Sequence, residues 1–229
     1  MNQRFDLYAP VHKGLRLALN GLSNQAAAAD AAEEDKMRAF IEEFRRVVII
    51  LETHSRDEDT NINEDYEKYA PQVLRQLEEE HAALETKLEE LISVVDRLEA
   101  AMSQTEERRN VWHRLGKDLN RFVAAYLTHL QNEEGPGMEA LWANLTDEEL
   151  LVISKNIRSS IPPQAMAIFM HYILPAINHE ERVGMLGEMK HFAPPEAFAG
   201  MLRLAEARLD TTSWTRLKSA LDVSESKAV

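Results

Sequence analysis

Val47-Val-Ile-Ile-Leu-Glu-Thr-His54-Ser-Arg-Asp-Glu58 is an apolar helical stripe that ends on two metal-ligating residue types. Val47 and Ile50 stand seven and four residues before His54, so the imidazole continues the stripe. Glu58 is four residues further on, on the same helix face. The pattern recurs in His129-Leu-Gln-Asn-Glu133, led by Phe122 and Ala125. His81 likewise follows Leu74 and Leu77, and His12 leads into Leu15 and Leu19. One histidine on an apolar face is usually a hydrogen-bonded core residue. Four, with two glutamates at helical spacing, would each carry a polar group inward at a cost. Imidazoles and carboxylates projected from facing helices into a bundle core are a recurrent way to hold two irons or manganeses.

Working outward, helical periodicity predicts four long segments. The first runs from Pro10 to Leu22 and the second from Glu34 to His54, through Phe40, Phe44, Val47 and Leu51. The third runs from Pro71 to Met102, and the fourth from Thr105 to Glu134, stopped by Gly135-Pro136-Gly137. Ser23 to Ala32 reads as a loop or frayed helix, and Arg56 to Tyr69 as a polar linker. Such stripes and connections predict an all-α protein built on an up-and-down four-helix bundle over residues 1–137.

Residues 138–229 predict a helical extension packed on that bundle. Leu145-Thr-Asp-Glu-Glu-Leu aligns with Ile177-Asn-His-Glu-Glu-Arg at an offset of 32 residues. In the same gapless register, Pro162-Pro163-Gln-Ala-Met-Ala aligns with Pro194-Pro195-Glu-Ala-Phe-Ala. Thr146 with Glu149 and Asn178 with Glu181 have the spacing of capping boxes. Each Pro-Pro pair ends one helix and opens the next. The expectation is two tandem helix–Pro-Pro–helix units.

Composition narrows the function. With 26 basic and 39 acidic residues the net charge is −13, and no basic cluster offers a nucleic-acid footprint. An anionic membrane surface would repel the chain. The absence of cysteine excludes thiolate zinc sites, iron–sulfur clusters and a cysteine nucleophile. No apolar run approaches the roughly 20 residues of a membrane span. No secretory pattern stands at the N-terminus, which makes the cytoplasm the expected compartment.

Val11-His12-Lys13-Gly14-Leu15-Arg16, the two His-x-x-x-Glu motifs and Glu79-Glu80-His81 together resemble the hemerythrin-like, or HHE cation-binding, family over roughly residues 10–140. Met138 to Leu209 resembles the segment that follows the hemerythrin domain in plant iron-regulatory ubiquitin ligases, including its Glu-Glu and Pro landmarks. The resemblance implies a pair of irons joined by an oxo or hydroxo bridge. Glu58 and Glu133 would bridge them, His12 and His54 would bind one, and His81 and His129 the other. This nitrogen and oxygen donor set suits iron and tolerates manganese or zinc. Oxygen-carrying hemerythrins place a histidine four residues after the third-helix ligand, where this chain has Glu85. Glu85 is therefore a candidate additional ligand, with a solvated charge as the bland alternative.

The resemblance implies a protein that binds or senses oxygen, nitric oxide or redox state, with the C-terminal extension available to a protein partner. The alternative is an enzyme that reduces peroxide or nitric oxide, or handles iron under stress. Glu80, next to His81, reads as an outer-face charge, or else as a proton relay behind a metal-binding histidine. Tyr126, three residues before His129, reads as core packing or as a donor to a bound ligand. His113 points nearly opposite to His129 by helix phase and is rejected as a ligand. His171, His179 and His191 read as structural or surface residues.

Overall fold

The computed structural model describes residues 4–223. The bundle consists of α1 (Ala9–Ala28), α2 (Glu34–Asn61), α4 (Pro71–Ala100) and α5 (Thr105–Asn132), with the short helix α3 (Asn63–Tyr69) between α2 and α4. Pro10 and Pro71 occupy the first turns of α1 and α4, where a missing N–H costs nothing. Leu77, Leu84, Leu88, Leu91, Val95 and Leu98 form the buried stripe of α4. Burying each such leucine contributes about 1.5–3 kcal/mol relative to exposure.

Three sequence expectations need correction. Helix α1 continues to Ala28, six residues past Leu22, because the Ala-rich stretch is a good helix former. The expected linker from Arg56 to Tyr69 is almost wholly helical. Its polar face is solvated, while Ile62 and Tyr66 are buried. Gly135-Pro136-Gly137 does not stop the chain either. A π-helical turn over Glu133–Gly137 accommodates Pro136 and feeds directly into α6 (Met138–Asn144). A Cβ on Gly137 would stand 2.7 Å from the Tyr66 hydroxyl, so glycine lets that tyrosine reach the turn.

The C-terminal extension continues with α7 (Asp147–Ser160), α8 (Pro163–Ala176), α9 (His179–Phe192), α10 (Pro195–Arg208) and α11 (Thr211–Ala220). Both capping boxes form, at Thr146 with Glu149 and at Asn178 with Glu181. Both Pro-Pro pairs join the flanking helices as the repeat predicts.

Helix α8 lies along α1. A Cβ on Gly14 would meet Ile173 Cγ1 at 2.8 Å and the Ile173 backbone nitrogen at 3.2 Å, so glycine permits the two helices to touch. Phe169, Tyr172, Ile173 and Leu174 of α8 belong to the same buried cluster as Leu15, Phe40 and Leu91 of the bundle. A second apolar cluster gathers Tyr8, Ile62, Tyr66, Leu77 and Met138 at the other end. Arg108 closes the end remote from Tyr8. It donates to the carbonyls of Ala31 (2.9 Å) and Met102 and to Glu34 (2.6 Å), tying the α1–α2 and α4–α5 connections together. Among the described residues, no helix is long and apolar enough to cross a membrane.

Candidate metal centre

Up-and-down topology brings the start of α1, the end of α2, the start of α4 and the end of α5 to one level. His12, His54, His81 and His129 occupy those positions. Two sets of side chains converge there: His12, His54, Glu58 and Glu133, and Glu58, His81, His129 and Glu133. Within each set the potential ligand atoms lie within 4.8 Å of one another. All are buried except His81, which is half-buried.

Both glutamates straddle the two sets. Glu58 places Oε1 3.4 Å from His54 Nε2 and Oε2 3.4 Å from His81 Nε2. Glu133 places Oε2 3.3 Å from His12 Nε2 and Oε1 2.8 Å from His129 Nε2. These approaches lack hydrogen-bond geometry. His12 Nε2, His54 Nε2, His129 Nε2, both Glu58 oxygens and Glu133 Oε2 are all buried without a hydrogen-bond partner. Such orphaned groups are costly and call for an explanation. A cation between them supplies one, and neutral imidazoles with carboxylates are a donor set that fits it.

Electrostatics separates the groups. Burial pushes the His54 imidazole down to about 3, against the pull of Glu133, so its nitrogen lone pair is free. Burial also opposes charge on His81, but Glu133 and Glu58 outweigh it and raise that imidazole to about 10. Burial and the facing Glu133 raise the Glu58 carboxyl. In Glu133 the histidines overcome burial and lower it. Ligation needs both carboxylates ionised and His81 neutral, so a cation would compete with protons for these groups.

The outward ring nitrogens of His12 and His129 are held by carboxylates. His12 Nδ1 lies 3.0 Å from Glu134 Oε1, and Arg16 donates to both Glu134 oxygens. Those partners outweigh burial and hold Glu134 down to about 2. His129 Nδ1 lies 2.9 Å from Glu80 Oε2, and Asn132 donates to the other Glu80 oxygen at 2.8 Å. His81 Nδ1 stands 3.5 Å from Asp59.

Of the residues singled out from sequence, His12, His54, Glu58, His81, His129 and Glu133 come together. Tyr126 is buried, with its ring edge-on to His129 at 5.9 Å between centroids. Glu80 spans from α4 to α5, which corrects its outer-face reading. Glu85 is exposed and belongs to neither set, because the α4 face that His81 shares with Leu77, Leu84 and Leu88 turns away from it. His113 is exposed as helix phase requires.

Sequence reasoning missed Glu134, Asp59 and the tyrosine pair Tyr8–Tyr66. The hydroxyls of that pair are 2.9 Å apart, and Tyr8 stacks on His12 at 4.9 Å. Arg16, four residues after a buried histidine, was the available signal for a nearby carboxylate.

A family model described as the hemerythrin HHE cation binding domain matches residues 5–136. No curated protein and no solved structure matches the chain.

Proposed function

This chain belongs to the hemerythrin HHE cation-binding family, and from that premise we propose that it holds two irons and there binds a small diatomic or peroxide ligand. The observation that carries this reading is the pair of glutamates, each with one oxygen beside either histidine pair. In this reading His12 and His54 would hold one ion, His81 and His129 the other, and Glu58 and Glu133 would be shared between them. When bound, a pair of irons supplies redox equivalents and vacant positions for a small oxidant.

The chain's own residues do the rest. Glu134 and Glu80 would orient the rings of His12 and His129 and set their tautomers. Apolar clusters flank the centre on both sides along the bundle. With Glu85 in solvent, each ion would be held by two imidazoles and two shared carboxylates, and neither set offers a further protein donor. That observation favours a second reading, in which the protein reduces peroxide or nitric oxide rather than carrying oxygen at one ion.

The C-terminal helices pack directly on the bundle beside the centre, and a role in coupling it to a protein partner is part of this proposal. The decisive measurement is metal content and the near-ultraviolet spectrum of protein from iron-replete cells, followed by titration with oxygen, nitric oxide and peroxide. Close to two irons per chain and a spectral response to one of these ligands are expected. Zinc alone would defeat the iron assignment, and one metal per chain would defeat the bridged pair.

A further inference from the structure

A cavity of about 930 Å³ opens between the bundle and the C-terminal helices and reaches His54 and Glu58. Its size falls at the upper end of the roughly 300–1,000 Å³ typical of small-molecule sites. Its wall is apolar, drawn mainly from Met166, Met170, Met185, Met189, Phe169 and Ile173. Methionines suit a wall that must adapt to a flexible apolar guest.

The polar groups are unevenly placed. Asp57 lines the cavity beside His54 and Glu58 and is buried. Ser160 donates to its Oδ1 at 3.3 Å, while Oδ2 is buried with no partner. A buried carboxylate oxygen of this kind calls for a donor. The lining carries Asp6, Asp57, Glu58, Glu181 and Glu188 against Arg158. Glu188 pairs with Arg158, and Glu181 with Lys13. Leaving Glu58 to the metal centre, Asp6 and Asp57 remain without a basic partner among the described residues, which opposes a carboxylate or phosphate guest beside Asp57.

We propose that this cavity binds a neutral lipophilic molecule with a hydroxyl at one end, the hydroxyl meeting the Asp57 carboxylate, whose Oδ2 turns toward it, and the apolar body lying along the methionine wall. The presentation of such a molecule to a metal pair rests on the function proposed above. The cavity itself depends only on the fold.

Nile red, a neutral apolar dye, is the probe, displaced by 1-decanol, by its methyl ether or by decanoate. Each titration is run on metal-loaded and metal-stripped full-length protein whose metal content is measured separately. The expected result is saturable dye fluorescence displaced by decanol at least tenfold more readily than by the ether or by decanoate. Asp57→Ala should erase the preference for the alcohol over the ether. Met185→Trp, which fills the cavity from a half-buried position, should weaken dye and decanol together by about tenfold while helicity is kept.

Equal competition by decanoate overturns the proposal, and so does dye binding unmoved by Met185→Trp. Failure to bind dye, with sedimentation as a dimer, would show that a second copy covers the cavity, and also overturns it. Binding in a protein that takes up no metal would sink the metal reading alone. Metal without binding would sink the cavity reading alone.

Discussion

Two of the four converging histidines hydrogen-bond a carboxylate through the ring nitrogen that faces away from the cluster, His12 with Glu134 and His129 with Glu80. Such partners orient a ligand ring and raise its basicity, and losing one typically costs about 10–100-fold in metal affinity. Glu134→Gln and Glu80→Gln should each weaken metal retention within that range against a competing chelator, whereas exposed Glu85→Ala should leave it unchanged. Equal loss in all three would remove the distinction drawn here. His54→Ala and His129→Ala should strip metal, and His113→Ala should not, since only His113 lies on the outer face. Glu134 also has a pH signature. Its carboxyl is lowered in the fold, so its contribution is present above the ordinary carboxylate range and fades as pH falls towards about 2. Acid unfolding of metal-free wild type and Glu134→Gln should therefore differ near neutrality and converge at the acid end. These carboxylates were the least legible part of the site, because each reaches its histidine from another helix. The candidate ligands were legible because helix phase places each on its own apolar stripe.

At the scale of elements, Gly14 decides how closely α8 approaches α1. Gly14→Ala places a methyl within 2.8 Å of Ile173 Cγ1 and should destabilise the protein by about 1–3 kcal/mol in urea unfolding. Ile173→Ala removes the crowding carbon, so its own cost should be smaller on the Gly14→Ala background and the double variant should be non-additive. Additive losses would mean that the two helices do not meet there. The long helices and the C-terminal duplication were readable from periodicity, capping boxes and Pro-Pro pairs. A third start of the repeat was not. Leu209-Asp210 follows Ile177-Asn178 at the same 32-residue offset, and Asp210 caps α11 through the Ser213 N–H. Ser213 replaces the glutamate that marks the earlier boxes, so the signature is halved. Helix α3 and the π-helical turn were hidden for a different reason. A solvated amphipathic turn looks like a linker, and Gly-Pro-Gly ordinarily breaks a helix. Here Tyr66 packs against Gly137 and tertiary contact overrides the local preference.

At the scale of the whole molecule, the division proposed after residue 137 separates two sequence patterns but not two cores. All six candidate ligands lie before it, yet α8 and the bundle share one buried cluster. Removing residues 138–229 would strip Phe169, Tyr172, Ile173 and Leu174 from α1 and α2 and bare the surfaces they cover. At roughly 1.5–3 kcal/mol per large apolar side chain, the loss is on the order of 6–12 kcal/mol as an upper estimate. Net domain stabilities are about 5–15 kcal/mol, so the truncated chain would be left marginal. Metal bridging α1, α2, α4 and α5 would offset part of this by binding only the folded form. The expected outcome is therefore conditional on loading. The metal-free fragment 1–137 should bind an apolar dye, associate and melt well below the full chain, and metal should narrow that gap without closing it. Thermal unfolding and sedimentation of fragment and full chain, each with and without metal, make the comparison. A soluble monomeric fragment with the full chain's melting temperature in both states would mean that the extension rests on the bundle without supporting it. The methionine-lined cavity between them would then belong to a loose contact rather than to the fold.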